Sequence, residues 1–356
     1  METKKIYVGS AKSGMVLASD VYDSSSRLIV KAGTILDDTI INKLNIYSVY
    51  SINIVLDKPK EEVVEYKNYY ERLKETEDFK GFKAKFDKSV EGLKDSLNAM
   101  VTKNIMVDEN KMLDDVKSVI EANKRGGSML DMLNCMQGHD DLTYVHSMNV
   151  ALISNVMAGW LGLSQEDTEI LTLAGLLHDI GKVKIPAEII AKPGKLTDEE
   201  YNIIKSHPRL GYDILKDKNI DERIKRAALM HHERCDGRGY PNRLSGSDID
   251  DMAKIIAIAD VYDAMTADRC YRKGMCPYTV IEHFESEKSV YDVKYLMAFL
   301  ERIANTYVSN EALLSNGETG KIVLVNKLKL SRPIVMVGNE IYDLSMRRDI
   351  KVERLL

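Results

Sequence analysis

His178-Asp179-Ile180-Gly181-Lys182 sits inside a segment, residues 126 to about 314, that reads as helical almost throughout. An imidazole and a carboxylate side by side suit a transition-metal ion. Working outward, His146, His207, His231 and His232 stand in the same segment beside polar punctuation, five of the chain's seven histidines in all. Pro208 suits the first turn of a helix and so places His207 at a helix junction. Asp260 ends the apolar run Ile255-Ile256-Ala257-Ile258-Ala259. Each residue alone has a simple structural explanation: a single histidine near a helix end is more often a cap or a satisfied core residue, and Asp260 alone reads as a buried acceptor. Together the set matches a site for two metals, which needs about six protein ligands and open positions for water and substrate. A helical bundle is a natural frame for such convergence.

Around this segment the chain changes character. Residues 1–58 read as a small β-rich module, with β-favouring runs at 15–22 and 27–31 separated by Ser24, Ser25 and Ser26. Leu36, Ile40, Ile41 and Leu44 have helical spacing, and residues 49–56 form another strand signal. Residues 59–118 read as a helical connector, where Phe79, Phe82, Phe86, Val90, Leu93 and Leu97 step by three or four along one face. Met106, Leu113, Val116 and Ile120 continue the stripe. It packs on the following domain or makes a helical homodimer contact; the heptads are not strict, which favours the former. Thr197-Asp198-Glu199-Glu200 has the form of a capping box, and Ser164 to Asp167 resembles one. Residues 315–356 read as a short β-rich extension beginning at Asn316-Gly317, with strands at 321–326, 333–337 and 350–353.

Composition sets outer limits. With 356 residues, about two or three domains are expected. A hydrophobic fraction of 44% and a charged fraction of 29% fit a globular chain. The net charge of -5 argues against binding a nucleic acid polymer over a broad basic face. No apolar run is long enough for a membrane span, and residues 1–10 have no signal-peptide core, so a cytoplasmic location is expected. Cys135, Cys235, Cys270 and Cys276 form no C-x-x-C pair and read as reduced thiols.

His178 to Lys182 resembles the motif of the HD phosphohydrolase superfamily. His231-His232-Glu233-Arg234-Cys235-Asp236-Gly237-Arg238-Gly239-Tyr240-Pro241 is similar to the second motif of the HD-GYP subfamily. His207-Pro208 and residues 258–266 fall in the family's order, and the resemblance covers about 120 to 314. Residues 13–44 also look like a module often found ahead of HD-GYP domains. The resemblance implies a mainly α fold: an HD-type all-helical bundle at 119–314, flanked by the β-rich module and the β-rich extension. It implies two divalent metals, iron or manganese, held by His146, His178, Asp179, His207, His231, His232 and Asp260, with Asp179 bridging. Some family members support a third metal by a carboxylate four residues before the first histidine. Here that position is Leu142, with Asp140 and Asp141 offset, so two metals are expected.

The implied reaction is hydrolysis of cyclic di-GMP to linear pGpG, or further to GMP, by a water activated between the metals. Asp179 and Lys182 carry the catalytic roles in this expectation, and Lys182 also contacts substrate. Arg269 and Arg272 resemble the family's phosphate-binding cations, and guanidinium suits phosphate because its donors are planar and paired. Tyr240 either contacts substrate or packs its turn, and Asp263 either orients a ligand or caps locally. Arg243 and Lys184 are weaker candidates, His139 reads as a loop histidine, and His283, on a helix at 278–287 that reads as polar, is expected to be solvated. A hybrid cyclic GMP-AMP is the alternative substrate. Two other classes compete: a different HD-group metallohydrolase, against which the Gly-Tyr-Pro stretch and the two arginines count, and a non-catalytic binding protein.

Overall fold

The computed structural model describes residues 3–22, 28–47, 49–55, 69–106, 108–123, 128–136, 142–192, 194–266 and 274–356. It divides into two compact units, Met1–Tyr66 and Lys67–Leu356. In the first unit, β1 (Thr3–Tyr7), β2 (Val21–Tyr22), β3 (Leu28–Val30), α1 (Asp38–Ile46) and β4 (Ser51–Val55) follow in order. β1 pairs antiparallel with β4 from Thr3↔Val55 to Tyr7↔Ser51, and β2 pairs with β3. Leu17, Leu36, Leu44, Ile52 and Ile54 close a small core of their own. The 15–22 run is therefore only partly strand. Val16 and Leu17 make single bridges to Ile35 and Ile54, and the turn residues Ser24 to Ser26 lie outside the described residues. β1 gives no alternating apolar signal because its burial pattern is almost wholly exposed.

The second unit begins with α2 (Tyr69–Glu75), α3 (Glu77–Thr102), α4 (Glu109–Ala122) and α5 (Met129–Asn134). The bundle continues with α6 (Leu142–Leu161), α7 (Gln165–Leu177), α8 (Ala187–Ile190), α9 (Asp198–Ile204), α10 (His207–Leu215), α11 (Glu222–Met230), α12 (Asp251–Thr266), α13 (Pro277–Ser286) and α14 (Val293–Thr306). Helix starts follow local chemistry. Thr76 Oγ1 accepts from Phe79 N, Ser164 Oγ accepts from Asp167 N, and Thr197 with Glu200 forms the expected capping box. α12 has no polar face among its first nine residues beyond Asp251 and Lys254, which suits a helix at the centre of the bundle, packed on α6, α7 and α11.

The stripe on α3 is buried within the chain. Phe82 and Phe86 are fully covered, and Phe79, Val90, Leu93 and Leu97 join the same core as α4 and α6. The helical dimer contact through 79–97 is thereby corrected: each of these side chains, worth roughly 1.5–3 kcal/mol on burial, already has its partner. Met106 leaves the stripe because α3 ends at Thr102 and α4 begins at Glu109; it is 59% exposed. α13 is also not the polar helix expected. Tyr278, Val280, Ile281 and Phe284 turn one face into the core, while His283 stays at the surface near Glu287.

After α14 the chain forms β5 (Glu311–Leu314), β6 (Thr319–Leu324), β7 (Ile334–Val337), β8 (Glu340–Asp343) and β9 (Val352–Leu355) in an antiparallel sheet of order β8-β7-β6-β5-β9. The helical reading to 314 is corrected: α14 stops at Thr306, and Asn316-Gly317 is the β5–β6 turn, with Gly317 at φ 86°. Ala312, Leu314, Ile322, Val335, Val352 and Leu355 contribute to the same core as the helices.

One buried charge sits in that core. Asp131 on α5 is 3% exposed; Tyr69 Oη donates to its Oδ2 at 3.1 Å, and Oδ1 has no hydrogen-bond partner. Burial pushes its pKa up to about 6, and the Tyr69 hydrogen bond offsets only part of that. The folded chain thus holds this proton more tightly than the unfolded chain, so stability from this group falls as pH rises from about 4 to 6. Asp131→Asn is expected to be more stable than the parent by about 1–2 kcal/mol at pH 7.5 and no more stable at pH 4. Urea titrations at the two pH values check this; equal gains at both would refute it.

Candidate metal centre

Five helices deliver one cluster. His146 projects from α6, His178 and Asp179 end α7, His207 opens α10, His231 and His232 end α11, and Asp260 lies in α12. His178, Asp179, His207 and His231 are buried; His232 and His146 keep an edge open. The two oxygens of Asp179 face two groups of rings. Oδ1 lies 3.2 Å from His207 Nε2 and 3.7 Å from His231 Nε2. Oδ2 lies 3.3 Å from His178 Nε2 and 3.5 Å from His146 Nε2. Asp260 closes the open side, with Oδ1 at 3.0 Å from His146 Nε2 and Oδ2 at 3.8 Å from His232 Nδ1. Donor atoms of His207, His231 and His232, of His146, His178 and Asp260, and of His178, Asp179 and His231 each lie within 4.8 Å of one another.

The rings are held by a repeated device. Nδ1 of His178 donates to Gly175 O at 2.8 Å, that of His207 to Ile204 O at 2.7 Å, and that of His231 to Ala228 O at 3.0 Å. Each carbonyl is three residues back, and a carbonyl only accepts, so Nδ1 carries the hydrogen and Nε2 turns inward. His146 Nδ1 meets Asp263 Oδ2 at 2.7 Å, the carboxylate–histidine pairing that orients a ligand ring. In the neutral rings, the Nε2 lone pairs of His207 and His231 face each other across 3.1 Å, a repulsive contact that a cation between them makes attractive. His178 Nε2 and Asp179 Oδ1 are buried without a hydrogen bond. Inward nitrogen lone pairs, unengaged carboxylate oxygen and three compact donor groups fit divalent cations with mixed N/O preference. The His/Asp groups can bind metal.

Electrostatics agree. Burial alone opposes charge on His146, but Asp260 and Asp263 outweigh it and push the ring up to about 10. This corner therefore attracts positive charge strongly. Burial also opposes charge on Asp179, yet the Lys182 ammonium and the imidazoles hold it well below the usual carboxylate range. Burial drives His231 far down, and His232 to about 3, so both stay neutral ligands.

A loop walls the cluster. The Glu233 carboxylate is buried and accepts from Asn242 N at 2.6 Å and Leu244 N at 2.9 Å, which pins the segment after His232. Gly239 allows this turn to fold back. A Cβ there would stand 2.5 Å from both Arg234 N and Glu233 Cα. The result lays the Tyr240 ring on His232, centroids 4.7 Å apart at 29°. Lys182, in the turn Ile180–Lys184, hydrogen-bonds Asp179 Oδ2 at the cluster's edge.

Of the residues expected from sequence, His146, His178, Asp179, Lys182, His207, His231, His232, Tyr240 and Asp260 come together. Asp263 comes too, in another role. Its two oxygens are taken by His146 Nδ1 and Asn149 Nδ2, each at 2.7 Å, and it is 4% exposed. The expected substrate contact is corrected to the positioning of His146, because three residues beyond Asp260 on a helix lies directly beneath it. Arg269, Arg272, His139, Asp140 and Asp141 lie outside the described residues, as does the Leu142 side chain. Lys184 lines a separate cleft with Asp213, Asp217 and Lys218, and Arg243 is exposed at φ 58°. Asn149 and Glu233 were not singled out from sequence. The three-residue spacing of Asn149 from His146 was the one available signal.

The profile of the HD domain family matches residues 111–294. The cyclic di-GMP phosphodiesterase PA4108 of Pseudomonas aeruginosa is 36% identical over 199 residues, which is 56% of this chain and 48% of that protein. The 3′3′-cGAMP-specific phosphodiesterase 1 of Vibrio cholerae is 40% identical over 158 residues, 44% of this chain and 37% of that protein. The chain thus spans less than half the length of either relative. Among solved structures, Bd1817, an HDG"Y"P protein from Bdellovibrio bacteriovorus, superposes with a TM-score of 0.52 at 16% identity, covering 85% of this chain and 99% of that one, a likeness of fold.

Proposed function

The chain belongs to the HD domain family, a metal-dependent one, and we propose that it is a cytoplasmic phosphodiesterase that linearises cyclic di-GMP. The observation that supports this most is the pair of Asp179 oxygens facing opposite groups of inward-turned imidazoles. His146, His178, Asp179, His207, His231, His232 and Asp260 would hold two divalent cations, iron or manganese, with Asp179 common to both. When bound, the cations supply Lewis acidity toward phosphoryl oxygens and lower the pKa of a water.

The chain's own residues do the rest. Backbone carbonyls fix the ring tautomers, and Asp263 orients His146, so the donors need little rearrangement. Lys182 gives one N–H to Asp179 and keeps others for a phosphoryl oxygen. Tyr240 forms a flat wall over His232. Arg269 and Arg272 are proposed as further phosphate contacts. Hydrolysis adds the hydroxyl of water to phosphorus and a proton to the departing 3′ oxygen, giving linear pGpG; a second cut gives GMP. The second reading, 3′3′-cGAMP, is favoured by the identity to the Vibrio cholerae relative that bears that name.

The test is turnover by protein purified anaerobically and loaded with iron or manganese, offered cyclic di-GMP and 3′3′-cGAMP in parallel, with products resolved by chromatography. Accumulation of pGpG from cyclic di-GMP is expected, with 3′3′-cGAMP cut more slowly. Preference for the hybrid would move the substrate assignment. Binding without cleavage of either would leave a receptor rather than an enzyme.

No helix among the described residues is long and apolar enough to cross a membrane. Cys135, Cys235 and Cys276 are free thiols, which suits a reducing compartment.

A further inference from the structure

Lys205 is the C-cap residue of α9, two positions before His207. Its ammonium lies 4.4 Å from the centroid of the Tyr201 ring and 5.6 Å from that of Tyr240. Tyr240 in turn stacks on His232. A continuous row thus runs outward from the metal cluster: imidazole, phenol, ammonium, phenol. Its outer member, Tyr201, is 47% exposed. Lys205 is half-buried, and among the described residues no carboxylate pairs with it. Two ring faces hold this cation in place without neutralising it.

That combination fits an anion joined to a planar ring. A half-buried ammonium with no counter-charge takes a phosphate oxygen, and a partly exposed phenol beside it offers a face to a base. A cyclic dinucleotide carries two phosphates. If one occupies the metal cluster, the other and its neighbouring base must rest beside it, and the row from Tyr240 to Tyr201 leads away from the cluster. We infer that Lys205 binds the second, uncleaved phosphate of a cyclic dinucleotide and that Tyr201 stacks the adjoining base. This subsite rests on the phosphodiesterase function proposed above. It makes Lys205 and Tyr201 substrate-holding residues that leave the reacting phosphorus to the metal cluster.

The experiment measures KM and kcat for cyclic di-GMP on the metal-loaded full chain and on Lys205→Met, Lys205→Arg, Tyr201→Ala and Tyr201→Phe, with metal content and melting temperature recorded for each. Lys205→Met is expected to raise KM about tenfold with kcat within about twofold, since a contact made equally in ground and transition states moves KM alone. Lys205→Arg restores most of the loss because it keeps the charge. Tyr201→Ala raises KM severalfold, whereas Tyr201→Phe keeps the stacking face and the parental KM. Parental KM values in both Lys205→Met and Tyr201→Ala, with parental turnover intact, would overturn the subsite alone. A fall confined to kcat in Lys205→Met would also overturn it, because Lys205 would then act through His207. A metal-loaded parent that neither binds nor cleaves a cyclic dinucleotide overturns the function and the subsite together.

Discussion

Asp179→Ala is expected to lower turnover by roughly 10³-fold or more and to strip metal from the chain. Its two oxygens lie within 3.7 Å of four rings at once, whereas Asp260 links His146 and His232 at the open side. Its Oδ1 addresses His207 and His231, and its Oδ2 addresses His146 and His178. Alanine removes both oxygens, so each group of rings loses the carboxylate they share and a cation held by either would lose a donor. Lys182 also loses its acceptor and the fixed aim that goes with it. Metal analysis after gel filtration should find fewer than two ions per chain, and activity at saturating metal should stay low. A variant that retained two ions and parental turnover would remove Asp179 from the centre of the site. Asp179→Asn is the sharper companion. It keeps one oxygen of similar shape and none of the charge, and should retain partial metal occupancy with little activity.

Gly181→Ala is expected to cost more than about 3 kcal/mol and to displace His207, a result out of proportion to one methyl group. A Cβ at position 181 would stand 2.0 Å from His207 O, 2.6 Å from Gly211 N and 2.9 Å from His207 C. All three are backbone atoms of α10, so no side chain can rotate away; the helix itself must move. Because His207 supplies donors from the first turn of that helix, the displacement reaches the metal cluster as well as the fold. Gly159→Ala is the control. Position 159 is exposed on α6, and a Cβ there would meet nothing within 4 Å, so alanine should be neutral or stabilise by about 0.5–1 kcal/mol. Chemical denaturation of the two variants, with metal content, checks the pair. Similar stabilities would refute the close-approach argument.

The metal cluster was legible in the sequence because its residues stand where helices break. His178 and His231 occupy C-cap positions, and His207 opens a helix beside a proline. The plain reading of a histidine at such a place, as a cap, and the functional one turn out to be the same residue seen from its two nitrogens: Nδ1 caps while Nε2 faces the cluster. Asp263 and Glu233 were not legible in their actual roles. Nothing in a polar residue's neighbours along the chain says which distant group it bonds, and both act on partners brought near by tertiary packing: His146 lies 117 positions from Asp263, and Leu244 lies 11 from Glu233. The strands β5 and β8 were missed because four residues with two or fewer buried positions give too short an alternation to detect. The amphipathic face of α13 was hidden by the charged residues interleaved with it.

The covered stripe on α3 has a consequence during synthesis. Phe79 to Leu97 leave the ribosome before α6, one of the helices that cover them, has been made, since α3 ends at Thr102 and α6 begins at Leu142. At roughly 5–20 residues per second, six large apolar side chains stay without part of their cover for a few seconds in every molecule made. In that interval the nascent chain presents an apolar stripe of the kind that chaperones and neighbouring nascent chains bind.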